Sequence, residues 1–206
     1  GDARDWAISR NRFWGTPMPI WRCDGCDAIE VFGAIADLEA KCGKTVDDLH
    51  KHFVDHHTWG CSECSGTMNR VSEVLDCWFE SGSMPYGQAH YPFENKEQFE
   101  RTFPADFIAE GLDQTRGWFY SLLATGTLLY DKPAYKNVLC LELINAADGT
   151  KMSKSRGNTV DPWDILNKQG ADAMRWYFYT SCTPWTPRAF QEELIDEALR
   201  KFMGTL

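Results

Sequence analysis

The chain has 206 residues, which is enough for one large domain or for a domain that carries an insert. Its 43% hydrophobic and 25% charged residues are typical of globular proteins, and the net charge of −9 excludes a protein that coats nucleic acid through its overall field. No apolar run approaches the roughly 18 residues that span a bilayer, and no basic, apolar leader is seen, so we expect no membrane contact and a cytoplasmic location.

The first segment, residues 1–22, mixes apolar positions with glycine and proline, which predicts a short buried stretch and a turn. It begins Gly-Asp-Ala-Arg and not with methionine, so we expect a processed product or an expressed fragment. Residues 23–70 are dominated by cysteines, histidines and acids, with a helical pattern from Asp37 to Cys42.

Two Cys-x-x-Cys pairs lie within residues 23–70, and 34 residues separate them. Four thiolates at this spacing close a tetrahedral structural zinc site, and a reducing compartment suits them better than disulfides. The predicted ligands are Cys23, Cys26, Cys61 and Cys64. There are three alternatives: reduced thiols without metal, local disulfides, or a site in which a histidine replaces one cysteine. The histidines that lie between the pairs are His50, His52, His56 and His57. Cys42, Cys77, Cys140 and Cys182 have no partner at ligand spacing and are predicted to be core residues.

The order of elements after residue 104 predicts a parallel α/β sheet. A strand over 104–112 precedes a helix over 114–129, with Trp118, Leu122 and Leu129 on one face, and a strand over 136–145 follows. Helices are predicted at 162–168, after Asp161 as N-cap, at 171–180, and from about residue 190.

Residues 110–119 lie where the first of these strands meets its helix, and ligands bind at such strand ends in open α/β sheets. Two carboxylates and an amide there could hold an ammonium group and ribose hydroxyls, with Trp118 as an apolar wall. The structural alternative is that Asp113 caps the helix and Trp118 is core. Trp78, in the aromatic motif of residues 75–83, could form another pocket wall or could also be core.

Residues 151–156 read Lys-Met-Ser-Lys-Ser-Arg between Gly149 and Gly157. Two lysines three positions apart can approach a triphosphate together, and the glycines predict a mobile loop. The alternative is a solvated basic loop. This string resembles the signature loop of class I aminoacyl-tRNA synthetases.

Four segments together resemble the isoleucyl-tRNA synthetase family over nearly the whole chain, in the part of the catalytic domain that follows the editing insertion. They are residues 6–15, 76–83, 110–119 and 151–155. The resemblance implies an α/β fold made of the C-terminal half of a class I Rossmann-type nucleotide-binding domain, with a small zinc-binding insert and a C-terminal helical segment. The expected divisions are 1–22 (catalytic-domain segment), 23–70 (zinc insert), 71–160 (second half of the catalytic domain) and 161–206 (helical junction).

The resemblance also implies roles for individual residues. Isoleucyl-adenylate would contact Glu110, Gly111, Asp113 and Gln114, and the isoleucine side chain would pack against Trp78 and Trp118. Lys154, assisted by Lys151, would bind ATP phosphates and stabilise the transition state. The implied partners are isoleucine, ATP with Mg²⁺, and tRNA(Ile), with a monomeric full-length enzyme.

The chain also departs from the family. The His-x-Gly-His signature, the editing insertion and the helical anticodon-binding region are absent from these 206 residues, so the isolated chain is expected to be inactive. Two other hypotheses remain: a non-catalytic, zinc-bearing module that docks the acceptor end of tRNA, and a valyl- or leucyl-type synthetase.

Overall fold

The structure is a computed structural model that describes residues 5–206. The expectation of a processed product or an expressed fragment, which was drawn from residues 1–4, lies outside the described residues. The ten strands of the described part are β1 (Ser9–Arg10), β2 (Ile20–Cys23), β3 (Ile29–Val31), β4 (Trp59–Gly60), β5 (Thr67–Arg70), β6 (Val74–Leu75), β7 (Ile108–Gly111), β8 (Val138–Leu141), β9 (Ile144–Asn145) and β10 (Arg188–Ala189). Its nine α-helices are α1 (Ile35–Cys42), α2 (Lys51–Val54), α3 (Cys77–Gly82), α4 (Met84–Gly87), α5 (Lys96–Thr102), α6 (Trp118–Tyr130), α7 (Pro162–Lys168), α8 (Ala171–Thr180) and α9 (Glu192–Lys201). Short 3₁₀ turns cover Leu112–Arg116, Lys154–Arg156 and Met203–Thr205.

A four-stranded antiparallel sheet in the order β3-β2-β5-β4 forms the insert between residues 20 and 70. The inward side chains of its central strands, Trp21 and Met68, are 1% and 0% exposed. They share a core with Leu38 of α1 and Val54 of α2, and the sulfurs of the paired cysteines pack against it. The insert therefore has an apolar core of its own.

Arg70, at the end of β5, connects this sheet by hydrogen bonds to the segments before β2 and after β5. Its Nε donates to Asp55 Oδ1 at 2.5 Å, and its Nη1 donates to the carbonyl oxygens of Met18 and Glu73. The side chain is buried, and a buried guanidinium needs such partners to offset its lost hydration. The short pair β1 and β6 closes the base of the insert, with Ser9 opposite Leu75.

The strands β7 and β8 are parallel, with Gly111 opposite Leu141, and α6 connects them. This arrangement confirms the predicted strand–helix–strand unit of a parallel α/β sheet. Helix α6 packs mainly on α3: Thr125 Oγ1 donates to the carbonyl oxygen of Gly82 at 2.8 Å. Leu122 is buried as predicted, whereas Leu129 is 58% exposed, so its predicted place on the packed face was wrong.

The C-terminal helices form a second core, whose buried members are Ile165, Ala173, Tyr177, Phe190 and Ile195. Helices α7 and α8 have the predicted bounds. Asp161 caps α7 as expected, since its Oδ1 accepts the N–H of Trp163 at 2.9 Å. The parallel pair of β10 with β9 joins this core to the strand end at residue 145.

No helix in residues 5–206 combines the length and the apolar character needed to cross a membrane. The division at residues 22, 70 and 160 stays a prediction.

Candidate functional site

The four predicted zinc ligands meet at the end of the insert sheet. The Sγ atoms of Cys23, Cys26, Cys61 and Cys64 all lie within 4.8 Å of one another. The Cys23–Cys64 and Cys26–Cys61 sulfur distances are 3.4 and 3.7 Å. Four sulfurs placed about 2.3 Å from a central ion at tetrahedral angles would be about 3.8 Å apart, so the cluster has nearly the dimensions of a zinc site. No histidine joins this group in the described part of the chain, which disfavours the three-cysteine, one-histidine alternative.

The two Cys-x-x-Cys turns repeat the same backbone pattern. In each turn the N–H of the first cysteine donates to the carbonyl oxygen five residues later, from Cys23 to Ala28 and from Cys61 to Gly66. The sulfur of Cys23 accepts the N–H of Gly25, and the sulfur of Cys61 accepts that of Glu63, both at 3.3 Å. Backbone donors aimed at sulfur stabilise thiolates, which are the form that binds metal.

These donors and the crowding of four sulfurs shift the thiol pKa values in opposite directions. The N–H of Gly25 is the main cause that lowers the pKa of Cys23 to about 7. A hydrogen bond from the N–H of Ala28 also lowers the pKa of Cys26. The sulfur of Cys64 and burial outweigh this effect, with the other two sulfurs, and raise the pKa of Cys26 to about 12. The thiolate of Cys23 is therefore favoured, whereas ionisation of Cys26 is opposed by the sulfurs around it. A bound dication would offset that repulsion between thiolates.

Gly66 makes the close approach of the two turns possible. A Cβ on this residue would lie 2.7 Å from Cys23 Sγ and 2.7 Å from Asp24 Oδ1. That carboxylate accepts the N–H of Thr67 at 2.7 Å, which joins the first turn to β5. The predicted core position of Cys77 was wrong, because this residue is exposed, and Cys42, Cys140 and Cys182 are only partly buried.

Residues 110–119 lie at the carboxyl end of β7, as predicted for a ligand site. Glu110 and Asp113 are exposed, and Gly111 is the last residue of the strand. Gln114, and not Asp113, satisfies the start of α6: its Oε1 accepts the N–H of Trp118 at 2.9 Å. Its Nε2 lies 3.3 Å from Asp113 Oδ2, so the amide orients the carboxylate beside it.

Both predicted pocket tryptophans lie close to Gly117: Trp118 follows it in the chain, and the Trp78 ring approaches it from α3. A Cβ on Gly117 would meet the Trp78 ring at 2.9 Å and Gln114 Oε1 at 2.8 Å. Trp118 Nε1 donates to the carbonyl oxygen of Ser81 on α3 at 3.2 Å. Trp78 is 40% exposed, so it is not a core residue in this structure. Gln114 Oε1 and the Trp78 ring therefore both lie close to Gly117, at the start of α6.

The basic loop, residues 150–158, follows β8 and β9 and folds back on β9 through a bridge between Asn145 and Lys151. Because β8 is parallel to β7, the basic loop and residues 110–119 both follow the carboxyl ends of neighbouring strands. Lys151, Lys154 and Arg156 are exposed. Across residues 5–206 none of the three lies within 4.0 Å of a carboxylate, so all three charges are open to an anion.

The sequence alone assigns no role of their own to Asn158 and Ser81, although both lie in or just after segments that resemble the family. Asn158 holds the basic loop together through three hydrogen bonds, to Thr150, Lys151 and Ser153. Ser81 supplies the carbonyl oxygen that fixes the Trp118 ring. A main-chain acceptor leaves no mark on residue type, whereas an asparagine just after a positive-φ glycine, here Gly157 at +66°, is a signal that could have been used.

Residues 1–186 match the protein family described as tRNA synthetases class I (I, L, M and V). Among curated relatives, the isoleucine–tRNA ligase of Clostridium novyi (strain NT) is 54% identical over 204 residues, which are 98% of this chain and 20% of the relative. The isoleucine–tRNA ligase of Thermus thermophilus is 51% identical over 205 residues, again 98% of this chain and 20% of the relative. The chain therefore spans about a fifth of the length of these relatives.

Two solved structures share the fold at 21% sequence identity. One is LeuRS of Agrobacterium radiobacter K84 in a ternary complex with tRNA and LeuAMS; the match has a TM-score of 0.68 and covers 96% of this chain and 27% of that one. The other is methionyl-tRNA synthetase of Mycobacterium tuberculosis in complex with methionyl-adenylate. This match has a TM-score of 0.53 and covers 82% of this chain and 32% of that one. The family match, the isoleucine–tRNA ligase relatives and the shared fold show that this chain belongs to the class I tRNA synthetases of the isoleucine, leucine, methionine and valine group.

Proposed function

We propose that the chain is part of an isoleucine–tRNA ligase, which uses ATP to activate isoleucine as isoleucyl-adenylate and then transfers the isoleucyl group to tRNA(Ile). The observation that carries the proposal is the basic loop, which follows the strand that neighbours residues 110–119. Its three cations have no carboxylate within 4.0 Å among residues 5–206. The high identity to isoleucine–tRNA ligases favours isoleucine over valine or leucine as the substrate. A cytoplasmic location belongs to the same proposal.

In the first step the isoleucine carboxylate attacks the α-phosphorus of ATP as its Mg²⁺ complex. The bond from that phosphorus to the bridging oxygen breaks, and pyrophosphate leaves. Negative charge grows on the leaving phosphates, so catalysis depends on placed positive charge and on alignment of the reacting groups. Lys154, with Lys151 beside it, supplies that charge from the basic loop.

In the second step a hydroxyl oxygen of the tRNA end attacks the activated carbonyl, and AMP leaves. The adenylate that links the two steps needs partners for its ammonium group and its ribose. Asp113 and Glu110 offer carboxylates, and Gln114 offers the second N–H of its amide, since the first is directed to Asp113. Gly111 is the last residue of the strand, and a Cβ there would lie 2.7 Å from Asp113 Oδ1, so glycine leaves space for that carboxylate. Trp78 and Trp118 offer apolar surface to the aliphatic side chain.

The cysteine cluster fits a structural zinc ion, which would link the two Cys-x-x-Cys turns and stabilise the insert. Four sulfur ligands leave no open coordination position, so we assign this ion no step in the reaction.

A full-length enzyme that contains this segment tests the proposal through isoleucine-dependent exchange of pyrophosphate with ATP. Lys154→Ala should lower kcat about 10²–10³-fold, as loss of other preorganised donors does. The control is Lys168→Ala, because Lys168 is the last residue of α7, outside the loop, and is paired with Glu192 on α9. A lower KM for ATP with unchanged kcat in Lys154→Ala would contradict the role.

The isolated chain should show little exchange, since it spans only a fifth of its relatives. Robust isoleucine-dependent turnover by the isolated chain would refute that expectation. The alternative of a zinc-bearing module that docks the tRNA acceptor end draws support from the separate core of the insert. Binding of tRNA without binding of ATP by the isolated chain would favour this alternative.

A further inference from the structure

The side chain of Asn158 joins the end of the basic loop to its beginning. Its Oδ1 accepts the N–H of Ser153 at 2.9 Å. Its Nδ2 donates to Thr150 Oγ1 at 3.1 Å and to the carbonyl oxygen of Lys151 at 3.3 Å. One amide therefore contacts three residues that precede the 3₁₀ turn at Lys154–Arg156, including both Lys151 and the residue just before Lys154.

A second polar residue continues this network away from the loop. Asp148 Oδ1 accepts both the N–H and the hydroxyl of Thr150, at 2.9 and 2.7 Å. These two bonds lower the pKa of Asp148, which stays ionised at neutral pH. The Thr150 hydroxyl thus donates to a carboxylate and accepts from Asn158, an arrangement in which each bond polarises the next.

The loop is more ordered than its glycines alone would suggest. Gly149 and Gly157 have φ of +81° and +66°, and they form turns at the two ends of the loop. Between them Lys154–Arg156 forms a 3₁₀ turn, and Ser153 Oγ lies 2.6 Å from Ser155 Oγ. The predicted mobility of this segment is therefore opposed by a set of side-chain bonds in which Asn158 takes part three times.

We propose that Asn158 is a positioning residue, which holds residues 150–158 in the conformation that brings Lys151 and Lys154 to the phosphates of ATP. The proposal rests on the proposed function. Asn158 fixes the carbonyl of Lys151 and the N–H of the residue before Lys154, so it sets the backbone path between the two charges. Ordering a free loop during the reaction costs conformational entropy, and a preformed loop avoids that cost.

Only an amide of this length meets all three contacts. An aspartate could still accept from Ser153, but it could not donate to Thr150 or to Lys151, and its charge would repel phosphate. An alanine removes all three contacts. Asn137 offers a matched control: its Nδ2 also donates to a carbonyl oxygen, that of Asp106 at 2.9 Å, outside the basic loop.

The first experiment needs no activity. Hydrogen exchange of the Ser153 N–H in the full-length protein should be slow in the wild type and in Asn137→Ala, and at least about tenfold faster in Asn158→Ala. Equal exchange rates in the wild type and Asn158→Ala would refute the inference, regardless of the enzymatic activity of either protein.

The second experiment measures kcat for isoleucine-dependent exchange per titrated active site, so that loss of folded protein does not count. Asn158→Ala and Asn158→Asp should lose about 10–100-fold in kcat with little change in the KM for isoleucine, and Asn137→Ala should match the wild type. In a Lys154→Ala background, Asn158→Ala should cost less than about threefold, because Asn158 acts through that lysine.

An equal loss in both backgrounds, or a kcat for Asn158→Ala within twofold of the wild type, would overturn the positioning role. A wild-type enzyme without isoleucine-dependent exchange would instead refute the proposed function, and the hydrogen-exchange result would still decide whether Asn158 orders the loop.

Discussion

The cysteine cluster and the basic loop are positioned by different means. The cluster lies on a sheet whose central side chains, Trp21 and Met68, are almost fully buried. The loop is exposed, and it is held by hydrogen bonds among its own polar side chains. Apolar side chains just beyond the carboxyl ends of β7 and β8 are also exposed: Leu112 is 42% exposed and Leu143 is 46% exposed. The insert is thus stabilised from within, whereas the strand ends at residues 111 and 141 present apolar surface for neighbours to cover.

The largest effect that this comparison predicts is loss of the metal. Cys61→Ser should lower the zinc content from about one ion per chain to near zero and should disorder the insert, because the proposed ion would be held by all four thiolates. Metal analysis and near-ultraviolet circular dichroism, which reports the stacked rings of Trp21 and Trp59, would measure both changes. Cys182→Ser is the control, since that residue is outside the cluster. A variant that keeps its zinc would show that Cys61 is not a ligand.

Acid should weaken the same site, because protons compete with the metal for sulfur. The pKa of Cys23 is lowered from 9.0 to about 7, so its contribution is complete above pH 9 and is lost as the pH falls through 7. Cys26, with a pKa raised to about 12, has to release its proton when zinc binds. Titration with zinc at several pH values should therefore show an affinity that falls steadily with acidification.

A smaller effect should follow from a single methyl group. Gly66→Ala would place a Cβ 2.7 Å from Cys23 Sγ, so the two turns would have to separate. We expect zinc affinity to fall about 10–100-fold, as it does when groups next to metal ligands are changed. Gly60→Ala is a matched control beside Cys61, because a Cβ there meets no atom within 4 Å. Equal zinc affinities for both variants would mean that the two Cys-x-x-Cys turns are not closely packed at Gly66 when zinc is bound.

The smallest effect concerns the helix that follows the basic loop. Asp161→Ala removes the cap of α7 and should cost about 0.5–2 kcal/mol of stability. Asp164→Ala, in the first turn of the same helix, removes a charge but no cap, and it should cost less. Thermal unfolding of the two variants measures the difference. Equal melting temperatures would show that the cap adds nothing at this exposed position.

Local signals in the sequence were enough where one residue type decides the structure. Asp161 before Pro162 predicted the start of α7, and the Cys-x-x-Cys spacing predicted the cluster. The order of elements likewise predicted the parallel pair of β7 and β8.

What the sequence could not show depends on contacts between distant segments. The exposure of Leu129 and of Trp78 follows from which faces find a neighbour, and periodicity along the chain does not contain that information. The role of Gln114 at the start of α6 required the observed turn, since Asp113 has equal capping chemistry one position earlier. The Asn158 network depends on a chain reversal at Gly157.

The contact between α3 and α6 has a consequence for how far apart the two helices can lie. Gly82 has no room for a side chain, because its Cβ would lie 2.9 Å from the carbonyl oxygen of Ser121, and Trp118 is anchored to the main chain at Ser81. The distance between α3 and α6 is therefore limited at this point by main-chain atoms, which adjust less readily than side chains do. A contact of this kind resists redesign: any side chain larger than that of glycine at residue 82 would require two helices to part.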